Sequence, residues 1–496
     1  MKWTTTRNCK PVSIKSIPVI DILPMCDQII RRVREGMRLI SFFGTRQGGS
    51  IVLYAVLADD ENSRLSAAAT DLGKRAAYPS LSAEIPSAWN FENEFYEEFG
   101  ILPEGHPWLK PVRYGSERSD RSLSMKTHPF FSVSGEQVHE VAVGPVHAGV
   151  IEPGHFRFMC QGEQVHHLEI QLGYQHRGVE RLFLENRLRF PIHLAESIAG
   201  DSVIAHGSAF AQAMEGLAGA VIPRRAQSIR AIALEMERAA IHIGGLAAIA
   251  GDVAYLLGNA VYGAARTLVI NALMDLCGSR FGRGLVRVGG VAFDIDGKLR
   301  GGLEAVLEKT RSDVERMSEE MFSSASVLSR LEQTGIVDAD IAAAIGLVGP
   351  AAKASGVARD VRADHPFGIY RNYPVHTITM NTGDVFARAY IRYVEINQSI
   401  NIIRELLADM SDDRPLMTPV NKIPANSFVV SLTEGWRGEV VHAAITGKGG
   451  CLSRYKVKDP SFNNWFGLAQ AMRGNGISDF PLCNKSFDLS YCGNDL

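Results

Sequence analysis

The stretch from Ala226 to Ala265 constrains this chain more than any other. Its first part places Ile229, Ile232, Ala233, Met236, Ala240, Ile243 and Ala247 at helical spacing. Its second part, Ala239 to Ala265, is long enough to cross a bilayer. Yet that part holds His242, Asp252 and five glycines, and Glu235, Glu237 and Arg238 stand just before it. Helices buried in a soluble core fit this pattern better than a span, so no transmembrane segment is expected. The chain's 47 glycines cluster with alanine in this middle third. Small residues let helices approach closely, which predicts a tightly packed helical core.

A chain of 496 residues is too long for one ordinary core, and two or three domains are expected. A formal net charge of −2 with no block of like charge gives no sign of a nucleic-acid partner. Seven scattered cysteines include no C-x-x-C pair, so spacing supports neither a zinc nor an iron–sulfur site, and no metal is assigned to this chain. A reducing compartment follows from that usage. The start, MKWTTTRNCKPVS, has no apolar run of a signal peptide.

Residues 1–115 read as α/β. MCDQIIRRVRE predicts a helix, MRLISFFG and SIVLYAVLAD predict strands around the turn-rich TRQGG, and WNFENEFYEEFGI predicts a second helix. Residues 116–135 are polar, with proline and serine, and read as a linker. From 136 to 496 three strands are expected in VHEVAVGPVHAG, GHFRFMCQG and EQVHHLEIQLG. Helices follow from RGVERLFLENRL onward, with a long one over 383–410. Strands return in SFVVSLTEG and GEVVHAAITG, before a short helix near NNWFGLAQAMRG.

Three local motifs carry chemistry. GYQHRGVERL sets His176, Arg177 and Glu180 at a strand-to-helix junction. A helix N-terminus favours anions, so bases there imply a partner: a carboxylate, a substrate or a neighbouring subunit. The alternative is an Arg–Glu pair capping the helix. GPVHAGVIEPGHFRF sets His147, Glu152 and His155 in a hairpin, able to carry protons or simply forming a solvated polar turn. Glu235 and Arg238 are three apart and suit an ion pair. Asp252 lies in Gly/Ala-rich apolar sequence, where a buried carboxylate needs a partner, and a histidine is expected to supply it. No Walker loop, Ser-His-Asp elbow or dinucleotide glycine motif is present.

Taken together, GPVHAGVIEPGHFRF, YQHRGVERL, RAIALEMERAAIHIGGLAAIAGDVA, RFGRGLVRVGGV and GWRGEVVHAAITG resemble the large subunit of the energy-converting, formate-hydrogenlyase-type (group 4) [NiFe]-hydrogenases. They equally resemble the forty-nine-kilodalton subunit of respiratory complex I. Ahead of them, ENEFYEEFGILPEGHPWLKP resembles the signature of the thirty-kilodalton subunit of complex I. The resemblance implies an α+β chain. An α/β domain like that thirty-kilodalton subunit comes first. A mainly helical large-subunit domain follows, with a small β-hairpin sheet at its start and strands near its end.

The resemblance also implies what is missing. Four cysteines hold nickel and iron in the hydrogenases, and their positions fall on Ala199, Ser202, Ser461 and Asn464. Methyl, hydroxyl and amide groups are poor substitutes for thiolate. The tail beyond Asn464 resembles the end of the complex I subunit more than a hydrogenase end, which is trimmed after metal insertion. The implied activity is electron transfer in an NADH:quinone-oxidoreductase-like or hydrogenase-like complex on the cytoplasmic face of the membrane. Electrons would come from a [4Fe-4S] cluster in an iron–sulfur small subunit, like the twenty-kilodalton subunit of complex I. Further implied partners are a ferredoxin-like subunit and antiporter-like membrane subunits coupled to ion translocation. The acceptor, with quinone as candidate, would meet His147, His155, Asp201, His206, Phe210 and Asp252, with Phe210 at a tyrosine position. Arg177 and Glu180 would bind acceptor or partner, and charge rearrangement at Glu152, Glu180 and Glu237 would couple to pumping. The alternative is a catalytically silent scaffold joining an iron–sulfur arm to a membrane arm.

Overall fold

Near the amino end, period-two alternation builds a sheet with two buried faces. The computed structural model describes residues 2–147, 149, 151–186, 188–410 and 415–496. The first sheet is antiparallel, in the order Thr4–Thr6, Arg64–Asp71, Ser50–Asp59, Arg38–Gln47. Gly48 and Gly49, at φ +56° and +85°, close the hairpin where Gln47 pairs with Ser50, a turn that needs positive φ at both central residues. Leu53, Ala55 and Leu57 point to one core, shared with Met25 and Ile29 of the helix Ile22–Arg34 and Phe91 and Phe95 of the helix Trp89–Phe99. Tyr54, Val56 and Ala58, on the opposite face, enter the main core of the molecule. There Tyr54 stacks on Phe428 with ring centroids 6.1 Å apart.

The fold is α+β, with a mainly helical second part. A three-stranded antiparallel sheet of Val138–Val143, His155–Gln161 and Gln164–Gln171 opens it. The helices Val203–Ala218, Arg224–Asp252, Leu256–Cys277, Gly297–Ser323 and Val385–Ala408 form the interior. A second sheet follows, in the order Leu452–Lys458, Gly438–Thr446, Ser427–Gly435, Val12–Ser13, so the amino-terminal segment supplies its edge strand.

Several elements depart from expectation. The stretch Ala239–Ala265, expected to hold buried helices, spans the end of one and the start of another, with a break at Val253–Tyr255 where Ala254 has φ +58°. The second, Leu256–Cys277, is the one helix among the described residues long and apolar enough to cross a membrane, and 44% of its apolar window is buried. The 27-residue helix Gly297–Ser323 was not anticipated, although Leu303, Leu307, Val314 and Met321 are buried at helical spacing. The strand Leu452–Lys458 was also missed, because Arg454, Lys456 and Lys458 disguise it. In the fold these bases alternate with the buried Tyr455 and Val457 and meet acids. Arg454 pairs with Glu98 at 2.8 Å, Lys456 with Glu94 and with Glu180 (3.0 Å), and Lys458 with Glu439 at 2.8 Å. Residues 116–135 hold only the short 3-10 turn Met125–Thr127, but they are tied down. Arg118 donates to the carbonyls of Tyr114, Gly115 and Leu123, and His128 is buried against Glu169.

Candidate functional site

The two residue pairs that the resemblance sets at the hydrogenase ligand positions lie at helix starts. Ala199 and Ser202 precede the helix Val203–Ala218, whose first backbone N–H groups have no intrahelical partner. Glu237 supplies one: its carboxylate accepts from the N–H of Ile204 at 2.7 Å and of Ala205 at 3.2 Å. Burial, reinforced by the charge of Asp201, pushes the Glu237 carboxyl up to about 8 despite those two bonds.

Beside this helix start stands Arg437, delivered by a two-residue turn, Trp436–Arg437, between the paired Gly435 and Gly438. The turn lies hard against Gly349 (φ +63°), where an added Cβ would fall 2.1 Å from the Arg437 carbonyl oxygen, so the close approach requires glycine. Arg437 grips both carboxylate oxygens of Asp201 at 2.6 Å, donates from Nε to the Asp488 carbonyl at 2.6 Å, and reaches Ser202 Oγ at 3.4 Å. Its guanidinium lies 3.9 Å over the Trp436 ring, and Trp436 Nε1 donates to the Asp201 carbonyl at 2.9 Å.

At the second pair, Ser461 Oγ accepts from the Ser490 N–H at 2.9 Å. The Asn464 amide accepts from the Val348 N–H at 3.1 Å and donates to the Val348 carbonyl at 3.0 Å. The residues at the four positions therefore do not fit a nickel–iron centre. None is a thiolate, Ala199 has no donor atom, and the polar groups of the other three are bonded within the chain. Among the described residues no group of three or more His, Cys, Asp or Glu side chains is disposed to hold a metal ion.

Residues 488–496 run between these two places. Arg177 donates to the carbonyls of Ser197 (2.5 Å), Ile198 (3.0 Å) and Cys492 (3.0 Å), lashing the Ala199 turn to this segment. Trp465 Nε1 donates to Ser490 O at 3.3 Å, and His176 Nδ1 meets Asp495 O at 2.7 Å. The hairpin joins from the other side. Glu152 accepts from the Cys492 N–H at 3.4 Å, and Gly154 abuts the Tyr491 ring.

Next to Asp201 the interior holds a continuous chain of four fully buried groups. Asp459 meets His206 Nε2 at 3.0 Å, His206 Nδ1 meets His442 Nε2 at 3.1 Å, and His442 Nδ1 meets the Tyr455 hydroxyl at 2.7 Å. Burial, and then the neighbouring His206, hold His442 well below the usual imidazole range. Burial works to raise the Asp459 pKa, but the bond and charge of His206 and the charge of Arg437 lower it overall. With Asp459 ionised and both histidines neutral, the donors run one way: Tyr455 to His442, His442 to His206, and His206 to Asp459. Proton positions along such a chain are coupled.

The structure redistributes the residues singled out above. It brings Glu152, Asp201, Ser202 and Arg177 to the carboxy-terminal segment. His206 and Phe210 are fully buried and so face no solvent-side acceptor: His206 belongs to the chain just described, and Phe210 stacks on Phe183 at 5.2 Å. His176, Arg177 and Glu180 all line a cavity of about 740 Å³ while also bonding within the chain. Glu180 accepts from the Val457 N–H at 2.9 Å and pairs with Lys456. Asp252 pairs with Lys485, not with a histidine, because the helix Phe480–Phe487 packs on the end of its own helix. His147 and His155 are half-buried, each bonded to a backbone carbonyl, of Gly154 (2.8 Å) and Gly144 (3.1 Å).

A second polar assembly escaped the sequence. Glu235 pairs with Arg238 (3.1 Å), as its spacing suggested, and also with Arg362 (3.0 Å), Tyr370 and Ser399. His242 bonds Glu395 at 2.7 Å, and Lys353 joins Glu395 (2.6 Å) to Asp360 (2.7 Å). Glu434, pushed up to about 8 by burial and by Asp360, has an Oε1 atom without a hydrogen-bond partner. These groups come from distant segments, and only the Glu235–Arg238 pair was visible from spacing.

Residues 258–427 match the family model described as respiratory-chain NADH dehydrogenase, 49 kDa subunit, and residues 26–121 match that of its 30 kDa subunit. Hydrogenase-4 component G of Escherichia coli (strain K12) is 30% identical over 84% of this chain and 76% of that protein. Formate hydrogenlyase subunit 5 of the same organism is 28% identical over 93% of this chain and 85% of its own length. Among solved structures, a chain of the archaeal membrane-bound sulfane sulfur reductase superposes with a TM-score of 0.68. It is 24% identical and covers 73% of this chain and 99% of its own.

Proposed function

This chain belongs to the family of group 4 hydrogenase components and the complex I 49 kDa subunit, with a 30 kDa-like domain fused ahead, and from that premise we propose that it is the metal-free large subunit of a complex I-like, membrane-associated oxidoreductase. The observation that supports this reading is that Ser202, Ser461 and Asn464 are bonded within the chain and Ala199 has no donor, at the positions where the resemblance expects thiolates. In this reading residues 1–115 are the fused amino-terminal domain and 136–496 the large-subunit domain, peripheral on the cytoplasmic face. Their neighbours are an iron–sulfur small subunit, a ferredoxin-like subunit and antiporter-like membrane subunits. A [4Fe-4S] cluster of the small subunit supplies electrons when the complex is assembled.

The chain's own part is to hold the acceptor, with quinone as the candidate, and to manage charge. The hairpin bearing His147, Glu152 and His155 is the surface best suited to meet it. It carries exposed Val146 (77%) and Ile151 (55%), and apolar residues grouped in water mark a contact surface. Asp201 keeps about a third of its side chain in water beside this hairpin's partner segment. Protonation of Glu237 and the pairing of Glu152 and Glu180 are the changes that would couple to ion movement.

The packing of residues 488–496 across the former ligand positions favours a second reading, a silent scaffold. Reduction of a short-chain quinone analogue by the purified complex separates the two. The redox reading expects His147→Ala to lower that rate at least tenfold with the complex intact. A rate unchanged by His147→Ala and Asp201→Asn leaves the scaffold.

A further inference from the structure

A cavity of about 260 Å³ lies away from the hairpin and the former ligand positions, between the helices Val203–Ala218 and Arg224–Asp252 and the segment Phe367–Arg371. It is smaller than the roughly 300–1,000 Å³ of sites for drug-sized ligands. Its walls include Leu234, Phe367 and Ile369. Ser208 lines it, is 2% exposed, and its hydroxyl has no hydrogen-bond partner. An unpaired buried hydroxyl is unfavourable, and almost all such groups in folded proteins are bonded. The Cys9 thiol also lines the cavity, bonded to Gln212 Oε1 at 3.3 Å and kept protonated by burial, which pushes it up to about 11.

The charge at this cavity is one-sided. Glu215 is neutralised by Arg230, which grips it at 2.6 and 3.0 Å. Lys10 and Arg371 also line the cavity. Both are exposed, neither forms an ion pair among the described residues, and both charges act on the Cys9 thiol. The lining thus combines apolar Leu234, Phe367 and Ile369, two cations that form no ion pair among the described residues, and one buried hydroxyl donor without an acceptor.

We propose that this cavity binds a small organic monoanion, its carboxylate held by Lys10 and Arg371, its apolar body against Phe367 and Ile369, and an acceptor oxygen on the Ser208 hydroxyl. The site is separate from electron transfer, and its test reads binding rather than turnover. Calorimetric titration of the full chain with 4-hydroxybenzoate, benzoate and 4-hydroxybenzamide examines each element. The expected result is saturable binding of 4-hydroxybenzoate at about 1 mM or tighter, about tenfold weaker for the other two compounds. Lys10→Ala/Arg371→Ala and Ser208→Ala should each weaken it about tenfold. Ser208→Ala should also melt no lower than the parent, since it removes a hydroxyl that bonds nothing. Absence of binding heat, or equal affinity across the compounds or the variants, overturns the proposal.

Discussion

At the scale of single residues, the site is held by charges that the fold keeps out of water. A buried ion pair is weak ground for stability, because desolvation offsets attraction, but losing one partner is expensive. Arg437 illustrates the difference, since Asp201, Asp488 and Ser202 all depend on it. Glu237 gives a clean pH signature. Its carboxyl rises from an ordinary value of 4.5 to about 8 in the fold. The folded chain therefore keeps a proton that the unfolded chain has released. Its contribution to stability is complete below about pH 4.5 and is lost as the pH climbs through about 8. Glu237→Gln, which stays neutral throughout, should flatten the fall in melting temperature between about pH 5 and 9. An identical slope in the variant would show that Glu237 is ionised in the fold. Residue identities alone carried part of this picture. Glu235 and Arg238 pair as their three-residue spacing suggested, but Asp252 finds Lys485 and His206 finds Asp459, partners more than two hundred residues away. Helical spacing reports only neighbours along one helix, so it could not supply them.

At the scale of elements, the carboxy-terminal segment is the decisive piece. It gives acceptors to Arg437, Arg177 and Trp465 and a donor to Ser461. Deleting residues 488–496 removes the acceptors of the buried Arg437 Nε and Trp465 Nε1 and the donor to Ser461 Oγ, at about 1–3 kcal/mol each. Several such losses should move the urea midpoint followed by the fluorescence of Trp436 and Trp465 well below that of the full chain. An unchanged midpoint would mean that the segment only rests on the surface. Elements with a strong apolar period were legible: Arg224–Asp252 and Val385–Ala408 lie where the pattern placed them. The strand Leu452–Lys458 was not, because its bases answer acids on the helix Trp89–Phe99 and elsewhere, and a strand that buries charge does not read as apolar.

At the scale of the molecule, the amino-terminal sheet and the large core are welded rather than merely tethered. One face of that sheet belongs to the main core, Arg38 joins Asp60 to Glu439, and His365 reaches Asp60 at 3.0 Å. The two parts therefore form one mechanical body around the region of Ala199, Ser202, Ser461 and Asn464, closed by Arg437 and residues 488–496. With no thiolate at Ala199, Ser202, Ser461 or Asn464, this body is expected to carry neither nickel nor iron there. The most direct test of this is elemental analysis of the complex purified from nickel-replete cells. The account predicts nickel far below one atom per chain, and one nickel per chain, retained through gel filtration, would contradict it.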